Sequence, residues 1–135
     1  MFIFLDSSEQ GKIFFFTLEN DKKVSSFVFQ ADLADRGPLA CFDDLIKKRK
    51  IFLRKISGIG VKIGAGRFTA TRIATTFGNA LSYFLRKPIV GMENFEAKDF
   101  LRRIKKAKVG VYLSAKYSGQ ANIGKSNNNY DSRLC

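Results

Sequence analysis

The sequence contains no histidine, and this absence narrows the chemistry open to the chain. Histidine general acid/base catalysis, Ser-His-Asp and Cys-His nucleophiles and histidine-ligated metals are all excluded. Cysteine is scarce, because Cys41 and Cys135 are the two in the chain. Two cysteines build neither a disulfide framework nor a zinc site, and they indicate a reducing, cytoplasmic compartment. We therefore expect no metal site and no cofactor.

Long apolar segments are missing as well. No uncharged apolar run approaches the roughly 18 residues of a membrane-spanning helix. The N-terminal segment lacks the basic region and the long apolar region of a signal peptide. The sequence therefore predicts a protein without membrane attachment.

Acidic residues are few relative to basic ones. The chain has 12 Asp and Glu against 24 Lys and Arg, which gives a formal net charge of +12. This balance favours an anionic partner, either a nucleic acid or an acidic protein surface, and a surface charged only for solubility is the third interpretation. The other values, 45% hydrophobic and 27% charged over 135 residues, are typical of one globular domain.

Hydrophobic periodicity predicts strands and helices in alternation. The strands cover residues 2–5, 12–18, 24–30, 56–63, 88–91 and 109–113, and helices begin near Pro38, Arg67 and Ala97. The predicted fold class is α/β: a mixed five- to six-stranded sheet with packed helices, in which an antiparallel three-stranded meander precedes a helix-strand-helix-strand alternation. We expect residues 1–118 to form this single lobe and residues 119–135 to form a polar, disordered tail.

The long helix from Arg67 carries two neighbouring stripes when its residues are projected at about 100° each. The apolar stripe consists of Ile73, Phe77, Ala80, Leu81 and Phe84 and is expected to face the sheet. The second stripe is mixed in polarity and consists of Arg72, Thr76, Asn79 and Tyr83. A helix on a sheet needs one apolar stripe, so the second predicts either a partner surface or a flank that faces water.

Three segments resemble phosphate-binding motifs. Residues 119–126 match the Walker A pattern, but too few residues follow Ser126 for the helix that this motif requires. Gly64 and Gly66 lie between a predicted strand and helix, where they allow either an anion-binding turn or close packing. Asp6, Ser7 and Ser8 end the first strand, where a carboxylate either holds a hydrated magnesium ion near phosphates or is simply solvated.

Two basic clusters are candidate RNA contacts. The first consists of Lys47, Lys48, Arg49 and Lys50 and is followed by Arg54, Lys55 and Lys62. The second consists of Arg102, Arg103, Lys105 and Lys106 and is followed by Lys108. Such clusters neutralise RNA phosphates or form an ordinary solvated face. No RNA-binding signature such as RNP1 is present to decide between these interpretations.

Residues 64–73 read GAGRFTATRI, and residues 88–91 read PIVG. Together with Phe4 to Ser8 at the start, these segments resemble the TsaB family of bacterial tRNA threonylcarbamoyladenosine biosynthesis, in order and spacing, over roughly residues 1–97. The chain departs from the family pattern at Ala65, Arg67, Ala70 and Ala74. It is also too short for the second subdomain of the family, so it resembles a one-lobe version.

The resemblance implies an RNase H-like, actin-like fold and a non-catalytic subunit. Family members pair with the catalytic protein TsaD and work with the ATPase TsaE. The helix of the Phe-Thr-x-x-Arg-Ile motif and the preceding helix form the pairing surface. The implied interface residues are Thr69, Arg72, Thr76, Asn79, Tyr83, Leu39, Cys41 and Phe42. Without a partner, the same face is expected to form a homodimer. The alternatives are an RNA-binding module that contacts tRNA and a nucleotide-hydrolysing enzyme that uses Asp6 and the glycine turn.

Overall fold

A computed structural model describes residues 1–19, 23–30, 37–64 and 68–114 of the chain, with only the backbone described for Phe68. The predicted tail, its Walker A match and Gly66 lie outside these residues. These described residues contain five strands: β1 (Phe2–Asp6), β2 (Lys12–Glu19), β3 (Lys23–Gln30), β4 (Gly58–Lys62) and β5 (Ile89–Met92). The α-helices are α1 (Pro38–Arg49), α2 (Phe68–Leu85) and α3 (Ala97–Lys106), and a short 3-10 helix spans Leu53–Lys55.

The strands form one mixed sheet in the order β3-β2-β1-β4-β5. The β1-β2 and β2-β3 pairs are antiparallel, whereas β1-β4 and β4-β5 are parallel. β1 is central and covered on both faces, which explains its unbroken apolar run Ile3, Phe4 and Leu5. The predicted α/β fold class is therefore confirmed, with five strands.

The predicted sixth strand over residues 109–113 is not formed. Residues 111–114 pair with no strand in the described part of the chain, and Leu113 packs against the core instead. The β-branched residues Val109 and Val111 suggested a strand, but both side chains are exposed. Tertiary packing overrides strand propensity at this point.

The two faces of the sheet are packed differently. On one face, α3 lies over a cluster that includes Phe4, Phe100 and Ile104. Gly58 and Gly60 make room for these side chains, since a Cβ on Gly60 would lie 2.4 Å from Phe4 Cδ2 and 2.7 Å from Phe100 Cε1. The opposite face carries α1 and α2 over the larger core cluster.

The surface of α2 that faces the sheet is made of small residues. Its buried members are Ala70, Thr71, Ala74, Thr75, Gly78 and Ser82, together with Leu81. A Cβ on Gly78 would lie 2.5 Å from Val61 Cγ2 and 3.1 Å from Ile89 Cδ1, so the helix backbone lies close to β4 and β5. Small side chains permit this approach.

The predicted orientation of α2 was therefore wrong. Of the apolar stripe assigned to the sheet, Leu81 is buried, but Ala80 and Phe84 are exposed. Phe77 packs sideways against Phe42 of α1, with ring centroids 5.4 Å apart. Compared with the prediction, α2 is rotated about its axis. Its small residues face the sheet because they let the helix backbone approach β4 and β5 more closely than large residues would.

Both α1 and α2 end in a left-handed residue that is not glycine. Lys50 has φ +53° and Arg86 has φ +58°. After each, the next backbone N–H donates back into the last turn: Ile51 N to Ile46 O (3.0 Å) and Lys87 N to Ser82 O (3.1 Å). This is the Schellman ending, which usually has glycine at the left-handed position.

The three α-helices all end at the same edge of the sheet. α2 joins the parallel strands β4 and β5, so it runs against both and ends where they begin. α1 runs the same way, because β3 and β4 both point along β1. The last turn of α3 reaches the start of β4, where a Cβ on Gly58 would lie 2.6 Å from Ile104 Cγ1. We call this the amino edge.

Candidate partner interface and basic edge

The side of α2 that points away from the sheet is exposed, and the half-buried Arg72 is its one charged residue within Phe68–Leu85. We define it as the outer helix face, with Thr69, Thr76, Ala80, Tyr83 and Phe84 as its exposed residues. Tyr83 is 74% exposed and Phe84 is 71% exposed. Two large exposed aromatic side chains on adjacent residues form the kind of apolar surface that often marks an interface.

The structure divides the predicted interface residues into three groups. Thr69, Thr76, Tyr83 and Leu39 are exposed, and the last lies in the first turn of α1. Arg72 is half-buried and already interacts within the chain. Cys41 and Phe42 are buried in the core, which removes them from the predicted surface. They were assigned to it only because α1 was expected to contribute to pairing.

Asn79 holds a segment of this chain rather than facing a partner. Its Nδ2 donates to the carbonyl of Leu113 at 3.0 Å, and its Oδ1 accepts from the Leu113 amide at 2.9 Å. The segment after α3 is thereby fixed against one flank of α2. The predicted partner stripe is partly covered by the chain itself, and the exposed face lies further round the helix, at Ala80 and Phe84.

A rule based on side-chain size could have located the outer helix face. Ala70, Ala74 and Gly78 are four residues apart, so they form a single ridge along α2. A ridge of small residues predicts the closest backbone contact, and the opposite side is then Thr76, Ala80 and Phe84. A search for the most hydrophobic side of the helix gives these small residues little weight, because the large phenylalanines dominate it.

The segment after β1 is occupied by contacts within the chain. Asp6 Oδ1 accepts hydrogen bonds from the Ser8 amide at 2.8 Å and the Ser8 hydroxyl at 2.7 Å. Asp6 Oδ2 lies 4.0 Å from Lys62 Nζ. The buried Ser7 hydroxyl donates to the Ala70 carbonyl at 3.1 Å, which ties β1 to the first turn of α2.

Gly64 lies at the same edge of the sheet as Asp6, because β1 and β4 are parallel neighbours. Its φ of +89° is left-handed, and a Cβ there would lie 3.4 Å from Glu93 Cγ. The structure therefore brings together the predicted phosphate-loop residues Asp6, Ser7, Ser8 and Gly64. Within the described ranges, no three acidic or cysteine side chains form a group that could hold a metal ion.

Several predicted RNA-contacting residues pair with carboxylates of their own helix. Lys47 Nζ lies 2.9 Å from Asp43 Oδ2, and this hydrogen bond and charge raise the pKa of Lys47 above its usual value. Arg103 Nε lies 3.1 Å from Asp99 Oδ2, and Arg102 also pairs with Asp99. These pairs neutralise part of each predicted cluster.

Other basic residues line a groove at the amino edge. The groove has a volume of about 550 Å³ and lies between the end of α1 and strands β2 and β3. Its basic residues are Lys23, Arg49, Lys50 and Lys55, and its aromatic residues are Phe27 and Phe52. The Arg49 guanidinium stacks 4.5 Å from the centroid of the Phe27 ring, which holds this cation at the groove wall.

The fold defines the class of protein. It is an α/β lobe of the RNase H-like, actin-like type, similar to the solved structure of YeaZ from Pseudomonas aeruginosa. That structure superposes with a TM-score of 0.59 and 22% identity, over 69% of this chain and 44% of the other. An uncharacterized protein described as similar to peptidase YEAZ from Pseudomonas aeruginosa gives the same TM-score and identity, over 69% of this chain and 43% of the other.

Family membership follows from the sequence. The family model described as TsaD, tRNA N6-adenosine threonylcarbamoyltransferase, matches residues 39–132, which is well over half of the chain. The chain belongs to this family, and the predicted TsaB-like resemblance is confirmed. It spans less than half the length of the two solved structures it resembles. No curated protein matches it, and no described helix is long and apolar enough to cross a membrane.

Proposed function

We propose that the chain is a non-catalytic scaffold subunit in the formation of N6-threonylcarbamoyladenosine in tRNA. In this proposal its outer helix face binds a TsaD-like catalytic protein, and the pair works with a TsaE-like ATPase. Family membership supports the pathway. The observation that carries the scaffold role is the pair of exposed aromatic residues Tyr83 and Phe84 on the outer helix face.

The state of the segment after β1 supports a non-catalytic role. The Asp6 carboxylate accepts from Ser8 and faces Lys62, and the Ser7 hydroxyl donates to a backbone carbonyl. These contacts give both groups a structural role that requires no catalysis. Here the Ser7 hydroxyl ties β1 to the first turn of α2, and the Asp6 carboxylate orders the turn after β1 and faces Lys62 of β4.

The charge of the outer helix face also favours a protein partner. The chain has a net charge of +12, yet Thr69, Thr76, Ala80, Tyr83 and Phe84 are all uncharged. Depletion of charge and enrichment in aromatic residues characterise the centre of a protein–protein interface. A contact centred on two such anchors obtains most of its affinity from them.

The test is binding of the full chain to the TsaD-like protein from the same cells, measured by calorimetry. We expect Tyr83→Ala and Phe84→Ser each to weaken binding about 30-fold, the effect of losing a hot-spot side chain worth about 2 kcal/mol. The matched control is Val28→Ser, because Val28 is 55% exposed on the edge strand β3, away from α2. Circular dichroism should be unchanged in all three variants.

Two results would count against the proposal. Unchanged affinity in both aromatic variants would remove the outer helix face as the binding surface. A homodimer that dissociates in the same variants, with no binding to the TsaD-like protein, would assign this face to a second copy of the chain. Stimulation of threonylcarbamoylation on adding the TsaE-like ATPase to the pair tests the third component.

A further inference from the structure

Charge is unevenly distributed along the strand direction of the sheet. The amino edge gathers basic residues from four places: the end of α1 with the 3-10 helix, the end of α2, the end of α3, and the start of β3. They are Lys48, Arg49, Lys50, Arg54, Lys55, Arg86, Lys87, Lys105, Lys106, Lys108 and Lys23. Among the described residues, Glu19 is the one carboxylate located at this edge.

Helix stabilisation does not explain this distribution by itself. Cations in the last turn of a helix interact favourably with its dipole, which accounts for residues such as Lys48. It does not account for Lys23, which lies at the start of strand β3. Lys50 occupies a left-handed position that favours glycine, so a long basic side chain is kept there despite a backbone cost.

We infer that the amino edge binds the phosphate backbone of RNA, with the groove between α1 and β3 as its central contact. The groove supplies four cations, Lys23, Arg49, Lys50 and Lys55, on one side of the molecule. Among the described residues, none of the four forms an ion pair with a carboxylate. Glu19 also lines the groove, opposite Lys23 in the β2–β3 register, so the four cations exceed the carboxylates there by three.

Aromatic residues favour RNA over an acidic peptide. Phe52 is 58% exposed beside the four cations, and Arg54 stacks 5.0 Å from its ring centroid. Interleaved cations and exposed aromatic rings are the pattern that binds single-stranded nucleic acid, because bases stack on the rings while cations neutralise phosphates. An acidic peptide requires only the cations.

The inference goes beyond the proposed function, since a subunit that pairs through α2 has no need to contact RNA. The two surfaces also differ in position. The outer helix face lies along α2, whereas the groove lies beside α1 and the first strands. A substitution in the outer helix face leaves the groove residues unaltered, and the reverse is also true. The two proposals can therefore be tested, and can fail, separately.

The experiment measures binding of the full chain to a fluorescent tRNA transcript by anisotropy, across salt concentrations. Four phosphate contacts on a flexible strand predict a slope of about −3 for log K against log salt. The edge variant Lys50→Gly/Lys55→Ser should weaken binding about 20-fold near 0.1 M salt and make the slope shallower by one to two units. Phe52→Ser should weaken binding about tenfold with the slope unchanged.

The matched control removes the same charge from the opposite edge. This control is the double variant Lys12→Ser/Lys98→Ser. Lys12 lies at the start of β2 and Lys98 at the start of α3, both near the carboxyl ends of the parallel strands. We expect it to retain almost full affinity. An equal loss in this control, binding that is independent of salt, or displacement of RNA by an equal concentration of polyglutamate would overturn the inference. The last result would assign the edge to acidic proteins.

Discussion

Replacing Gly78 with alanine tests the close contact between α2 and the sheet. In an exposed part of a helix this change is stabilising by about 1 kcal/mol, because glycine has the greater backbone freedom in the unfolded chain. At Gly78 the added methyl group would lie 2.5 Å from Val61 Cγ2, closer than carbon atoms approach in folded proteins. The two effects have opposite signs, so the sign of the measured change is informative.

Steric conflict should be the larger effect. Val61 is fully buried on the central part of the sheet, and its β-branched side chain has little rotamer freedom. Ile89 Cδ1, at 3.1 Å, blocks movement of the new methyl group to the other side. Overpacking of this kind costs about 1–3 kcal/mol, so we expect a net loss of about 1 kcal/mol in the free energy of unfolding.

Urea unfolding followed by circular dichroism measures this change, with Thr76→Ala as the control. Thr76 is exposed on the same helix, where alanine should be slightly stabilising. The Gly78 variant should lower the midpoint without changing the slope. A Gly78→Ala protein as stable as, or more stable than, the parent would show that α2 does not lie this close to β4.

The remaining predictions concern the ends of elements. Asn79→Ala should remove both hydrogen bonds to Leu113, at about 1 kcal/mol each, and accelerate hydrogen exchange of the Leu113 amide. The control is Asn94→Ala, because Asn94 is exposed. Unchanged exchange of the Leu113 amide in Asn79→Ala would show that Asn79 does not anchor this segment. Lys50→Gly should raise stability by about 0.5–1 kcal/mol by relieving a left-handed residue, whereas Lys48→Gly inside α1 should lower it by about 1 kcal/mol. An equal loss of stability in the Lys50→Gly and Lys48→Gly variants would contradict the left-handed conformation of Lys50.

The sequence predicted the fold where hydrophobic patterns were unambiguous. The three-stranded meander, the alternation that follows it and the start of α1 were located, because apolar periodicity and turn residues marked them, as Gly37 and Pro38 do for α1. The last strand was wrong because Val109 and Val111 have strand propensity but pair with no strand among the described residues. Propensity describes one segment, whereas pairing requires a neighbour at the right distance.

The candidate interface was predicted only in part. The sequence correctly identified α2 as unusual, and Thr69, Thr76 and Tyr83 are exposed as expected. The sequence predicted the wrong side of α2 to face the sheet. The side that faces the sheet is the one on which Ala74 and Gly78 allow the helix backbone to approach β4 closely. Asn79 could not be assigned from the helix alone, since its partner, Leu113, lies 34 residues further along the chain.

The parallel course of the three helices has an electrical consequence. Cations collect where the helices end, while Asp6, Glu93, Glu96 and Asp99 lie near the opposite border of the sheet. The described part of the molecule therefore carries an excess of positive charge toward one end of its strands. In the field of a polyanion it is turned before contact, so that encounters begin in a restricted range of orientations and are faster in dilute salt.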